Sequence, residues 1–188
     1  MSVTTASLAA VVVPRPAANV IMVTAFASAT ALGAFVRMPL PGTDVPFTLQ
    51  VYFVLLAGLS LGALRGAASQ LLYVAAGTAG VPVFIGIGGG ISYLLGPTGG
   101  YLAGFIAAAL LVGRLSRGRG FGGMFLSAFA GALVILTFGT VHRVLVLGMA
   151  LPAAFASGFL PFVAVDAAKA FLAALAASHL RSRWNFSS

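Results

Sequence analysis

The sequence predicts an all-α integral membrane protein, with six transmembrane helices and irregular Gly/Pro-rich outer loops, and three observations carry that prediction. Of the 188 residues, 61% are hydrophobic and only 6% charged, with a mean hydropathy of +1.12. A water-soluble domain could not cover so apolar a chain with polar surface. Apolar runs of about 20 residues, the length of one span, recur along the chain. Arginines gather in alternate connections, as they do where short cytoplasmic loops are richer in Lys and Arg.

Residues 1–16 are rich in Ser, Thr and Ala and read as a cytoplasmic tail. Arg15 precedes a full-length span and no cleavage pattern follows, unlike a secretory signal. A single transmembrane domain then occupies residues 17–180. Its first span is expected over 17–36, after which Pro39, Pro41 and Pro46 stop any helix. The second is expected over 47–64 and the third over 66–80. Residues 81–97 are apolar but hold two prolines and five glycines, so they read as irregular backbone packed inside the protein. The fourth span is expected over 98–115, the fifth over 121–144 and the sixth over 161–180, with a poorly resolved apolar region around Pro152 between the last two. Residues 181–188 form a basic cytoplasmic tail.

With the amino terminus inside, Arg15, Arg65, Arg114, Arg117, Arg119, Arg181 and Arg183 fall on one side of the membrane, and only Arg37 and Arg143 on the other. That bias supports six spans with both termini in the cytoplasm. A seventh span near 144–159 would carry the terminal arginines outside.

Composition also removes whole classes of function. The chain has no cysteine, so disulfides, thiolate nucleophiles and Cys-based metal sites are excluded together. A net charge of +8 is better explained by orienting loop arginines than by nucleic-acid binding. There is no G-x-x-x-x-G-K-[ST] phosphate loop, and the G-x-G-x-x-G match at Gly118, Gly120 and Gly123 follows a hydrophobic span rather than a strand. No G-x-S-x-G elbow is present, and His142 and His179 lack neighbouring carboxylates in sequence, so neither catalysis nor a metal site is expected.

One acid and one base lie within an expected span: Asp166 and Lys169, three residues apart and so on one face of the sixth helix. Charges kept in a membrane mark a functional site by default. Counted from Pro161, Asp166 lies roughly 8 Å into the helix, with Lys169 about one turn deeper, in the outer half. The irregular stretches before the second and fourth spans lie on the same side. Their glycines can expose backbone N–H and C=O groups to a ligand, and Thr48, Gln50, Ser92, Tyr93 and Tyr101 add polar tips to an apolar wall. Small residues recur at helix-packing spacing at Ala25, Ala29 and Gly33 and at Gly58, Gly62 and Gly66. Either set packs the chain's own helices, or the first is a docking face for another membrane protein.

Several runs resemble a known family: Val45-Pro-Phe-Thr-Leu-Gln50, Gly80-Val-Pro-Val-Phe84, Gly88-Gly-Gly90, Leu95-Gly-Pro-Thr-Gly-Gly-Tyr101 and Asp166-x-x-Lys169 are similar to those of the BioY family. Its members are the biotin-specific S components of energy-coupling factor (ECF) transporters of prokaryotic cell membranes. The resemblance runs from about the first span to Lys169 and implies a six-helix fold with a high-affinity pocket near the outer surface. It implies biotin as the transported ligand, with no cofactor, and as partners a transmembrane coupling subunit, a pair of cytosolic ATPases and the lipid bilayer. It assigns ligand binding to Asp166 and Lys169, pocket lining to the loop of Gly88, Gly89 and Gly90, and partner docking to Ala25, Ala29 and Gly33; Gln50, Ser92, Tyr93 and Tyr101, read above as polar tips on the wall, complete the candidate ligand-binding set. Two departures stand out: Ala164-Val165 precede Asp166 where many relatives have Pro-Gly, and Leu102 stands where some place an arginine. Lys169, Arg37 and Arg143 are therefore the candidate cations for the biotin carboxylate. The chemistry agrees, because Asp166 can accept from ureido N–H groups while Lys169 donates to a ligand acceptor. The alternatives are an S component for another small vitamin, or a proton-coupled secondary carrier using Asp166, which needs inverted repeats not found here.

Overall fold

A computed structural model describes residues 14–183 as helices joined by tight turns and by two segments of non-helical backbone at the end expected to face outward. The first helix, α1 (Arg15–Phe35), begins with Pro16 in its first turn, where a missing N–H costs nothing. It therefore starts within the stretch expected as a tail. Residues 1–13 and 184–188 of the two expected tails lie outside the described residues, while 181–183 continue the last helix.

The chain next makes a feature that the sequence reading lacks. Strands β1 (Arg37–Met38) and β2 (Phe47–Thr48) pair antiparallel, Arg37 opposite Thr48 and Met38 opposite Phe47. The three prolines confine the intervening turn to extended and turn conformations, so a ribbon replaces the first part of the expected second span. Helix α2 (Gln50–Leu61) is consequently only 12 residues long. It is buried along nearly its whole length, packed against α1, α3 (Ala63–Thr78), α4 (Gly99–Leu115) and α7 (Leu160–Arg183).

Gly62 joins α2 to α3 at φ +78°, a left-handed conformation that a side chain would strain. Gly58 and Gly66, the outer members of the same triplet, bring helices together: a Cβ at Gly58 would lie 2.8 Å from the Ala109 carbonyl oxygen of α4, and one at Gly66 would lie 3.0 Å from the Gly58 Cα. This stripe packs the chain's own bundle.

Residues 79–98 contain no α-helix. They form a β-bridge between Phe84 and Gly88 and a 3₁₀ turn, Ile91–Leu95. The expectation that this segment packs inside the protein is corrected: Ile87, Ile91 and Leu95 are exposed, and Phe84 alone in it is fully buried. The reason is local. Phe84 sits edge-on to Tyr73 of α3 and against Tyr93 of the 3₁₀ turn, with ring centroids 5.5 and 4.7 Å away, so one aromatic plug anchors a surface segment. The Gly90 N–H donates to the Gly77 carbonyl at 2.7 Å, and His142 Nε2 bonds the Gly96 carbonyl at 3.1 Å.

Helix α5 (Phe121–Leu145) packs along α4 and α7. A short helix that the sequence reading did not place, α6 (Leu151–Gly158), follows and is separated from α7 by Phe159 alone. Its eight residues span about 12 Å, far short of a bilayer. Among the described residues, three stretches are long and apolar enough to cross a membrane: Arg15–Phe35, Phe121–Leu145 and Leu151–Leu180. Helices α2 and α4 are shorter apolar helices.

Candidate ligand-binding site

One pocket collects the polar residues expected in the outer half. Its walls come from the ribbon (Val45, Pro46, Thr48), α2 (Gln50, Val51), the outer segment (Ile85, Thr98), α4 (Tyr101, Leu102, Phe105), α5 (Ile135, Leu136) and α7 (Phe162, Asp166, Lys169). They enclose about 470 Å³ of empty space, including the part that opens to solvent. The mixture of an apolar wall with a few convergent polar groups is that of a small-molecule site.

The polar end is the pair foreseen in α7. Lys169 Nζ donates to Asp166 Oδ1 at 2.7 Å, and both residues are nearly out of contact with solvent, at 5% and 1% exposure. Lys169 also stands 4.2 Å from the centroid of the Phe47 ring, a cation–π contact from β2. Helical spacing makes the contact possible, since residues three apart share a face. The bond to Lys169 uses one of the two Asp166 oxygens, Oδ1.

Gln50 begins α2 at the pocket wall, and both ends of its amide are engaged. Its Nε2 donates to the Tyr73 hydroxyl at 2.6 Å, and its Oε1 accepts from Thr48 Oγ1 at 3.2 Å. Tyr101, one turn into α4, lines the pocket with its ring and donates its hydroxyl to the Gly158 carbonyl at 2.7 Å, which ties α4 to α6.

The structure thus brings together Asp166, Lys169, Tyr101 and Gln50, with Thr48 beside them. The glycines of the outer loop do not line the walls. Gly88, Gly89 and Gly90 shape the turn that holds Phe84, Tyr93 packs on Phe84, and Ser92 is exposed. Ile85 and Thr98 are the residues of that segment that reach the pocket. Of the three candidate cations, Lys169 alone lines it. Arg37 is exposed on β1.

Arg143 is buried at the outer end of α5, donating to Asp44 Oδ1 at 2.7 Å and to Ser157 Oγ of α6 at 3.0 Å. Sequence reasoning missed that ion pair. A signal existed, because Asp44 and Asp166 are the chain's two acids, but a separation of 99 residues conceals the pairing. Phe105, Ile135, Leu136 and Phe162 were also missed, being apolar residues that only tertiary packing distinguishes from lipid-facing ones. On α1, Ala25 is exposed, Ala29 half-buried and Gly33 buried. A Cβ at Gly33 would lie 2.9 Å from the Gln50 backbone nitrogen, so this residue serves the chain's own bundle.

Known proteins resemble this chain over most of its length. The chain is 40% identical over 165 residues to the "Probable biotin transporter BioY" of Pyrococcus horikoshii, covering 88% of this chain and 97% of that protein. It is 39% identical to the "Biotin transporter BioY" of Thermotoga maritima, over 83% of this chain and 91% of that one. A third match, to the "Probable biotin transporter BioY" of Lysinibacillus sphaericus, is 54% identical but spans about half of each chain, 50% of this one and 47% of the other. The fold superposes on a crystal structure of the S-component for biotin from an ECF-type ABC transporter, with a TM-score of 0.83 at 23% identity, covering 92% of this chain and 95% of that one. With the BioY family model matching residues 3–186, the chain belongs to the BioY family.

Proposed function

We propose that the chain is the high-affinity biotin-binding membrane subunit of a vitamin uptake transporter. The observation that carries this reading is the Asp166–Lys169 pair buried in the wall of an otherwise apolar pocket, in a family whose near-full-length relatives are named biotin transporters. The ureido group of biotin offers N–H donors to Asp166 and a carbonyl acceptor to Lys169, while Phe105, Ile135, Leu136 and Phe162 face its sulfur ring. Arg143 is already held by Asp44 and Lys169 meets the ureido carbonyl, which leaves Arg37 of the three candidate cations for the carboxylate tail.

Six spans, both termini in the cytoplasm of a prokaryotic cell and an outward pocket follow from the arginine bias. Helix α2, short for a span, is continued by the ribbon, and non-helical backbone is tolerated at membrane depth where it lines a cavity. The energy for uptake comes from a transmembrane coupling subunit and a pair of cytosolic ATPases, the coupling subunit docking against the α1 face at Ala25 and Ala29. The test is titration calorimetry on the chain purified in detergent, with biotin against thiamine and riboflavin. Biotin binds and the other two do not; equal or absent binding of all three refutes the assignment.

A further inference from the structure

The hydrogen bonds around Gln50 run in one direction, and that direction fixes what the pocket offers to an occupant. The chain of bonds ends on the Val83 carbonyl, which can only accept. Tyr73, whose hydroxyl lies 3.2 Å from that oxygen, therefore donates to it. The Tyr73 oxygen, with its proton committed, is the acceptor for Gln50, so the nitrogen end of the Gln50 amide faces Tyr73 at 2.6 Å and the oxygen end faces Thr48. Thr48 must then donate its own proton to Gln50 Oε1. The assignment of the amide is set by a backbone carbonyl rather than by the shapes of its two ends, which are nearly alike.

Three of these residues are buried, Thr48 at 6%, Gln50 at 2% and Tyr73 at 2% exposure, while Thr48 and Gln50 line the pocket and Tyr73 does not. We infer that Tyr73 is a positioning residue that, through Gln50, turns Thr48 into a pure hydrogen-bond acceptor toward the ligand, so that Thr48 receives an N–H group of the bound molecule. Asp166, the other acceptor of the site, is on a different helix, and the two together suit a ligand carrying adjacent N–H donors. The inference rests on the biotin reading and deepens it, because the ureido group carries two such donors. It also connects the outer segment to the site, since Val83 lies beside Phe84, the plug that holds this segment on α3. A shift of that carbonyl releases Tyr73, and with it the polarity of the pocket.

The test is a double-substitution cycle read by calorimetric biotin affinity, with thermal unfolding of each ligand-free variant alongside. Tyr73→Phe removes one oxygen and keeps the ring packed on Phe84. Tyr73→Phe and Thr48→Val each weaken biotin about tenfold, a hydrogen bond's worth at a buried site. Thr48→Ser, which keeps the hydroxyl, binds within about twofold of the unaltered chain. The double variant Thr48→Val with Tyr73→Phe is no weaker than either single one, because both break the same chain of bonds. Losses that multiply to about a hundredfold, or a Tyr73→Phe variant that binds as well as the unaltered chain, overturn the inference. If Tyr73→Phe unfolds, the Val and Ser variants at Thr48 decide: equal affinity in both refutes it. Absence of biotin binding by the unaltered chain overturns the proposed function and this inference together. Normal binding with Tyr73→Phe unchanged overturns the inference alone.

Discussion

A carboxylate and an ammonium held 2.7 Å apart in a nearly dry wall stabilise one another only while both are present. Removing either leaves its partner uncompensated and, on the proposed function, strips biotin of a charge-assisted bond. Asp166→Asn and Lys169→Ala are therefore each expected to weaken biotin binding at least about tenfold, measured calorimetrically, with membrane insertion unchanged. Arg143 presents the complementary case. Its Nε is buried without a partner, and its ion pair reaches out to an Asp44 that is half exposed. Asp44→Ala strands the guanidinium and should lower stability by about 1–3 kcal/mol. Arg143→Met should cost less, because Asp44 returns to water at little cost; thermal unfolding in detergent separates the two. At this scale Asp166 and Lys169 were legible in the sequence, since charges are rare in apolar spans and three-residue spacing fixes their face. Arg143 and Asp44 were not, because one reads alone as an orienting arginine at a span end and the other as an ordinary loop charge.

Among elements, helix existence was legible where apolar runs are long: α1, α4, α5 and α7 follow the expected spans to within a few residues. The errors fall where proline and aromatic packing override hydropathy. Residues 47–49 are apolar enough to extend α2, yet they pair with β1 or cap the helix. Leu151–Gly158 is a helix too short for any span-length window to detect. The crossing of α2, α3 and α4 depends on small residues whose spacing was visible in the sequence but whose partners were not. Gly58→Leu drives a side chain into the Ala109 carbonyl and the Val112 side chain. It should destabilise the bundle by about 1–3 kcal/mol, near the upper end because backbone cannot move aside; the readout is the unfolding midpoint in detergent.

At the scale of the whole molecule, the membrane character was legible from composition, but which polar residues meet in one pocket depends on how five elements converge. The expected docking stripe illustrates the difference. Residues four apart drift around a helix by about 40° per step, so Ala25 faces outward while Gly33 has turned into the bundle. A bulkier residue at the outward position tests the docking face: Ala25→Leu should leave biotin affinity within about twofold while reducing ATP-dependent uptake in cells that supply the partner module, and unimpaired uptake would remove Ala25 from that face.

The Arg143–Asp44 bridge also bears on the order in which the molecule is made. A contact spanning 99 residues cannot form until α5 has left the ribosome, and the Ser157 bond must wait for α6 as well. During synthesis the first two helices and their ribbon are therefore made while Asp44 is still unmatched. This end of the bundle closes only as α5 and α6 arrive, so the candidate site is among the last parts of the protein to mature.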